Sequence, residues 1–193
     1  MKTRLTILVC IALVFGMLAA SCAKPPTEEM NNATEAVTRA ENDIDAVTYA
    51  GNLVSRARDA LSRMQAESNN KRYDAAKTYA AEAIANAERA IADGRAGAAR
   101  FRDEAAALVA ELRPMVVETG LAIASAQEAG LDLDFEEVNN DFDNARSDTE
   151  QAETALNGQR YQESLRLGRI ARSEFAEINV KLSNAASAAS RKK

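Results

Sequence analysis

Cys22 follows Leu18-Ala19-Ala20-Ser21 directly, behind an apolar run from Leu5 to Leu18 that Lys2 and Arg4 precede. The chemistry open to a thiol there is acylation. Small side chains at Ala19, Ala20 and Ser21 suit a signal peptidase, and a Cys freed by cleavage can carry fatty chains. At the other end the chain closes in Ser190-Arg191-Lys192-Lys193, where the Lys193 amine could form an amide. A third candidate is the acidic run Asp132, Asp134, Glu136, Glu137, Asp141 and Asp143. Its density suggests a calcium loop, but an EF-hand needs Gly where Glu137 stands and a long Glu where Asp143 stands. The run therefore reads as the acid-rich start of a helix, and no metal site is expected. Histidine is absent from the sequence, which removes the commonest metal ligand and the commonest general base near neutral pH. No catalytic residue or cofactor is assigned, and the chain is not expected to be an enzyme.

The N-terminal segment resembles a bacterial lipoprotein signal peptide. The resemblance implies that residues 1–21 are cleaved and that Cys22 becomes the acylated first residue of the mature chain. It also implies anchoring on the outer membrane, because Ala23 follows the Cys where an Asp would retain the protein on the inner one. Several fatty chains, each contributing about 0.8 kcal/mol per buried CH₂, would hold the protein firmly. Two other readings remain open. A run of 14 residues is short of the roughly 20 needed for a permanent membrane helix, yet an uncleaved anchor would use it. An ordinary secretory signal cleaved after Ala20 or Ser21 would leave Cys22 as a free thiol. Cys10 would leave with the signal, so the mature chain could form no internal disulfide. The C-terminus resembles that of the major murein lipoprotein, which implies possible attachment of Lys193 to peptidoglycan. A basic C-terminus also simply complements a helix dipole.

Removing residues 1–21 takes away two cations and no acids, so the formal charge moves from −5 to −7. An acidic surface argues against nucleic acid as a partner. The expected partners are the membrane, through the lipid anchor, and an envelope protein. Alanine fills 41 of 193 positions, Trp is missing and only three Pro occur. Such a composition predicts an all-α fold of closely packed helices, since Ala buries little area per residue.

Apolar positions Met30, Ala33, Val37, Ala40, Ile44, Val47, Gly51, Val54, Leu61 and Met64 recur at steps suited to one helical face. They predict a helix over about 28–67, bent or broken at 49–52, spanning about 60 Å if straight. Ser68-Asn69-Asn70-Lys71 reads as a turn, with Asn70 an N-cap for the next helix. That helix starts near Tyr73 and can continue past Gly94 and Gly97. Pro114 disrupts the helical hydrogen bonding, so 115–129 is either a kinked continuation or a new helix starting at Pro114, and Ala129-Gly130 ends it. Asp134 with Glu137 resembles a capping box, and Asn157-Gly158 predicts a Gly C-cap before a last helix over about 160–188.

Ala57-Arg58-Asp59 with Lys71-Arg72-Tyr73-Asp74 recurs 88 residues later as Ala145-Arg146-Ser147 with Gln159-Arg160-Tyr161-Gln162. This suggests two diverged units, each a long antiparallel hairpin with an extra helix before it, in an elongated coiled-coil-like bundle. The chain then divides into the signal (1–21), a tether (22–29), a first unit (30–100), a second unit (101–188) and a basic tail (189–193). Asn52-Leu53, Ala57, Ala60 and Leu61, followed by Tyr73, Ala76, Ala80, Ala83 and Ala87, resemble an uncharacterised family of small Ala-rich helical envelope lipoproteins. That resemblance implies fold and location, not activity. A tetratricopeptide reading fails on the 34-residue period. Tyr73, Tyr79 and Tyr161 read as corner residues. Arg58, Arg146, Arg166, Arg169 and Arg172 belong to a charge-laced face, with Asp59–Arg63 and Glu177–Lys181 as i,i+4 pairs. The function expected is a non-catalytic binding or scaffolding role in the envelope. The alternatives are a membrane-to-peptidoglycan spacer through Lys193 and a carrier of an apolar ligand.

Overall fold

A computed structural model describes the backbone of residues 24–191. Cys22 and Lys193 lie outside the described residues. The fold is all-α, with six helices and no strand among the described residues: α1 (Thr27–Asn42), α2 (Ile44–Tyr49), α3 (Gly51–Asn69), α4 (Tyr73–Glu128), α5 (Phe135–Asn157) and α6 (Tyr161–Arg191). Contacts divide the chain into two units between Arg95 and Ala96, within α4.

In unit 1 the expected helix over 28–67 is instead three helices. Asp43 adopts an extended conformation (φ −84°, ψ 111°), and its Oδ1 accepts a hydrogen bond from the Ala46 amide at 2.9 Å, making it the N-cap of α2. The short carboxylate competes with the backbone ladder and ends α1. A second break falls at Ala50 (φ −133°, ψ 29°). The space around Gly51 is open, so bulk does not require a glycine there. The chain reverses across α2, and the straight 60 Å rod does not form. Glu41 of α1 pairs with Arg58 of α3, and Glu29 of α1 with Lys77 of α4 at 3.3 Å. These contacts set α1 antiparallel to α3 and parallel to the first part of α4.

The fold-back follows from how little an Ala stripe buries alone. Twelve of the sixteen buried residues in this core are Ala, and the others are Val37, Leu53, Val54 and Met64. Each Ala removes little area from water, so close approach of several helices must compensate. Gly94 shows how close that approach is. A Cβ there would lie 2.6 Å from the backbone of Ala46, and Asp43 adds an ion pair to Arg95 at 3.8 Å. Ile44 and Val47, expected on the buried stripe, are exposed on α2.

Unit 2 has the same up-down-up order, formed by residues 96–128 of α4, then α5 and α6. Arg113 of α4 pairs with Glu153 of α5, while Arg169 and Arg172 of α6 pair with Glu104 and Glu111 of α4. Pro114 is absorbed in α4 without ending it. Here the core is bulky: Leu112, Leu165 and Phe175 meet Phe142, whose ring lies edge-on to Phe175 with centroids 6.2 Å apart. The buried Ser164 hydroxyl donates to the Ala152 carbonyl at 2.8 Å, tying α6 to α5.

The three turns share one hydrogen-bond pattern. Arg72 N donates to Glu67 O and Lys71 N to Ser68 O; Leu131 N to Ala126 O and Gly130 N to Gln127 O; Arg160 N to Ala155 O and Gln159 N to Leu156 O. This is the Schellman closure of a helix end. The left-handed residue is Gly130 in the middle turn, but Lys71 (φ 59°) and Gln159 (φ 61°) in the hairpin turns. Asn70 therefore caps the C-terminus of α3 and not the start of α4. Gly158 is the C-cap of α5 as expected, with φ −82°, and the left-handed residue follows it.

Candidate functional site

Three surfaces in the described residues could do something chemical or recognise a partner. The first is α2. Asp43 caps it, Gly94 lets its backbone settle on α4, and Ala46 is fully buried at the contact. The outer face then carries Ile44, 81% exposed, and Val47, 49% exposed, one turn apart. Because α1 is 16 residues long, or about 24 Å at ~1.5 Å per residue, α2 lies at the opposite end of unit 1 from Thr27.

The second is an apolar groove at the C-terminal end of unit 2. It has a volume of about 780 Å³, and its walls include Ala122, Ala126 and Ala129 of α4, Leu131, and Leu182 and Ala186 of α6. α6 continues as a helix through Ala185–Ser190 to Arg191, a little past the expected end near 188.

The third is the seam between α5 and α6. Asp134 caps α5 by accepting from the Glu136 and Glu137 amides at 3.1 Å each, so the acidic run starts a helix as its sequence suggests. Glu137 and Asp141 then hold Lys181 of α6 at 2.6 and 2.8 Å, in place of the expected Glu177–Lys181 pair. Those hydrogen bonds raise the Lys181 ammonium above its ordinary value. Two turns up the seam, Glu174 has a buried Oε2 with no hydrogen-bond partner in the protein. Burial, and after it Asp148, Asp141 and Glu177, push this carboxyl upward. Among the described residues no group of three or more His, Cys, Asp or Glu could hold a metal ion.

Of the residues weighed from sequence, Arg58 pairs with Glu41, Arg146 with Asp143 and Glu150, and Arg169 and Arg172 with α4. Arg63 lies over the Tyr79 ring at 5.9 Å and not in an ion pair with Asp59. Pro26 is buried and its carbonyl accepts from Met30 N, and α1 begins at Thr27. No helix among the described residues is long and apolar enough to cross a membrane.

In a comparison with known families, residues 28–107 are similar to a domain of unknown function, DUF4398. The stretch takes in α1 to α3 and the first part of α4, including every position from Asn52 to Ala87 on which the family resemblance rested. The expectation of an uncharacterised family holds to that extent. No curated protein and no solved structure matches the chain.

Proposed function

We propose that this is a bacterial envelope lipoprotein, anchored through acylated Cys22 and acting without catalysis as a binding or scaffolding element. The observation that carries the reading is the lipobox-like segment Leu18–Cys22 behind its apolar run. The short tether agrees with it. Five residues from Cys22 to Thr27 span at most about 18 Å, so a lipid on Cys22 would hold the start of unit 1 at the bilayer surface. The α2 end of unit 1 would then face away from that surface, presenting Ile44 and Val47 to a partner. The shared turn geometry of Lys71 and Gln159 supports descent of the two hairpins from one duplicated ancestor. Metabolic labelling with an alkyne analogue of palmitate tests the anchor: label on the native chain and its loss in Cys22→Ser support the reading, and an unlabelled native chain contradicts it.

The groove in unit 2 favours a second reading, carriage of an apolar chain. Lipid extracted with the purified soluble part would support it, and an empty extract would oppose it. The spacer reading rests on the terminal Lys193 alone. Retention on cell wall boiled in detergent, lost when Lys193 is deleted, is its expected signature.

A further inference from the structure

We propose that the α5–α6 seam of unit 2 is a proton-dependent latch, closed when Glu174 is neutral and loosened when it is ionised. The geometry is that of a carboxyl placed where a carboxylate is poorly served. Its Oε2 is buried and lacks a donor. From α5 it faces Asp141 and Asp148, and along α6 it faces Glu177. Two turns further along α6, Lys181 is already bound to Glu137 and Asp141. On α4, Glu104 and Glu111 are held by Arg169 and Arg172, Arg113 is held by Glu153, and Glu118 is solvent-exposed.

A buried oxygen without a donor bears a desolvation cost that rises when it is charged, and like charges add to it. Protonation removes the charge, and with it both the desolvation cost and the repulsion from Asp148, Asp141 and Glu177. Burial and these acids shift Glu174 upward from 4.5, in the direction the geometry requires. The folded protein therefore binds this proton more tightly than the unfolded chain does. The resulting stabilisation is complete below the ordinary carboxylate range and is lost as pH rises through the folded value.

Unit 1 lacks the device in the same register. Eighty-eight residues earlier, Ala60 and Asn86 stand where unit 2 has Asp148 and Glu174.

Two measurements on the intact protein decide the matter. Carboxyl ¹³C titration, with Glu174 assigned by its absence in Glu174→Gln, is expected to give a midpoint above 4.5. A midpoint at or below that value overturns the proposal. Amide hydrogen exchange across α6, corrected for its intrinsic pH dependence, is expected to show more opening at neutral pH than near pH 4.5, the ordinary carboxylate value from which Glu174 is raised. That difference should vanish in Glu174→Gln, and its persistence there overturns the latch even if the carboxyl titrates high.

Discussion

Positions 83, 87, 90 and 94 on α4 of unit 1 are Ala, Ala, Ala and Gly, while 171, 175, 178 and 182 on α6 of unit 2, in the same register, are Ala, Phe, Ile and Leu. All eight are buried. Unit 1 fills its interior by bringing backbone to backbone, as at Gly94 and Ala46. Unit 2 fills it with side chains, with Phe142 on Phe175 and Leu131 and Leu133 beside Leu182. The two solutions fail differently. A small-residue core tolerates no added atom, because its neighbours are backbone that cannot rotate away. A large-residue core suffers most from deletion, which leaves a cavity. The connections differ accordingly: unit 1 crosses from its first to its second helix through the docked α2, and unit 2 through a capped loop ending at Asp134.

The comparison breaks most visibly at Phe175. Phe175→Ala should cost about 3–5 kcal/mol, seen as faster amide exchange throughout α5 and α6 and a lower urea midpoint. Ala87→Gly, its counterpart in unit 1, removes only one methyl from the core. Next is Gly94→Ala, whose new Cβ meets the backbone of Ala46 and Asp45. Overpacking of about 1–3 kcal/mol outweighs the gain of up to ~1 kcal/mol from helix propensity, so thermal stability should fall and α2 amides should exchange faster. Asp43→Ala should cost about 1 kcal/mol through loss of the cap, with the Ala46 amide losing protection first. Gly168→Ala sharpens the contrast with the smallest effect. Its new methyl would meet the flexible end of Leu108, and the helix gain offsets the contact, so urea midpoints should stay within about 1 kcal/mol of the native protein. A large loss there would place unit 2 in the same backbone-limited class as unit 1.

Local signals in the sequence were good guides. Asp134 with its following amides, the hairpin corners and the end of α4 at Gly130 each depend on a few adjacent residues. The break at Asp43 escaped because apolar periodicity runs straight through it: Ile44 and Val47 keep the helical spacing yet point outward. Asp43 three residues before Ala46 was the available cue, a capping signal inside an apparent stripe. Gly158 was legible as the C-cap of α5, whereas the left-handed position falls one residue later on Gln159, a long polar side chain that gives no such cue. Glu174 and the partners of Lys181 were not legible locally, since both depend on α5 packing across from α6. Aligning the two units by 88 residues would have exposed Glu174, where a neutral Asn86 becomes an acid in a groove that already holds Asp148. As for the candidate site itself, Cys22 is proposed from sequence alone, and α2 and the groove emerge only from packing.

The central claim is that anchored unit 1 offers its α2 face to an envelope partner. A photo-crosslinking residue at Ile44, read by mass spectrometry in cells carrying either the native anchor or Cys22→Ser, tests it most directly. The account predicts one dominant crosslinked envelope protein that disappears when Cys22 is replaced. No enriched partner, or the same partner with and without the anchor, would contradict it.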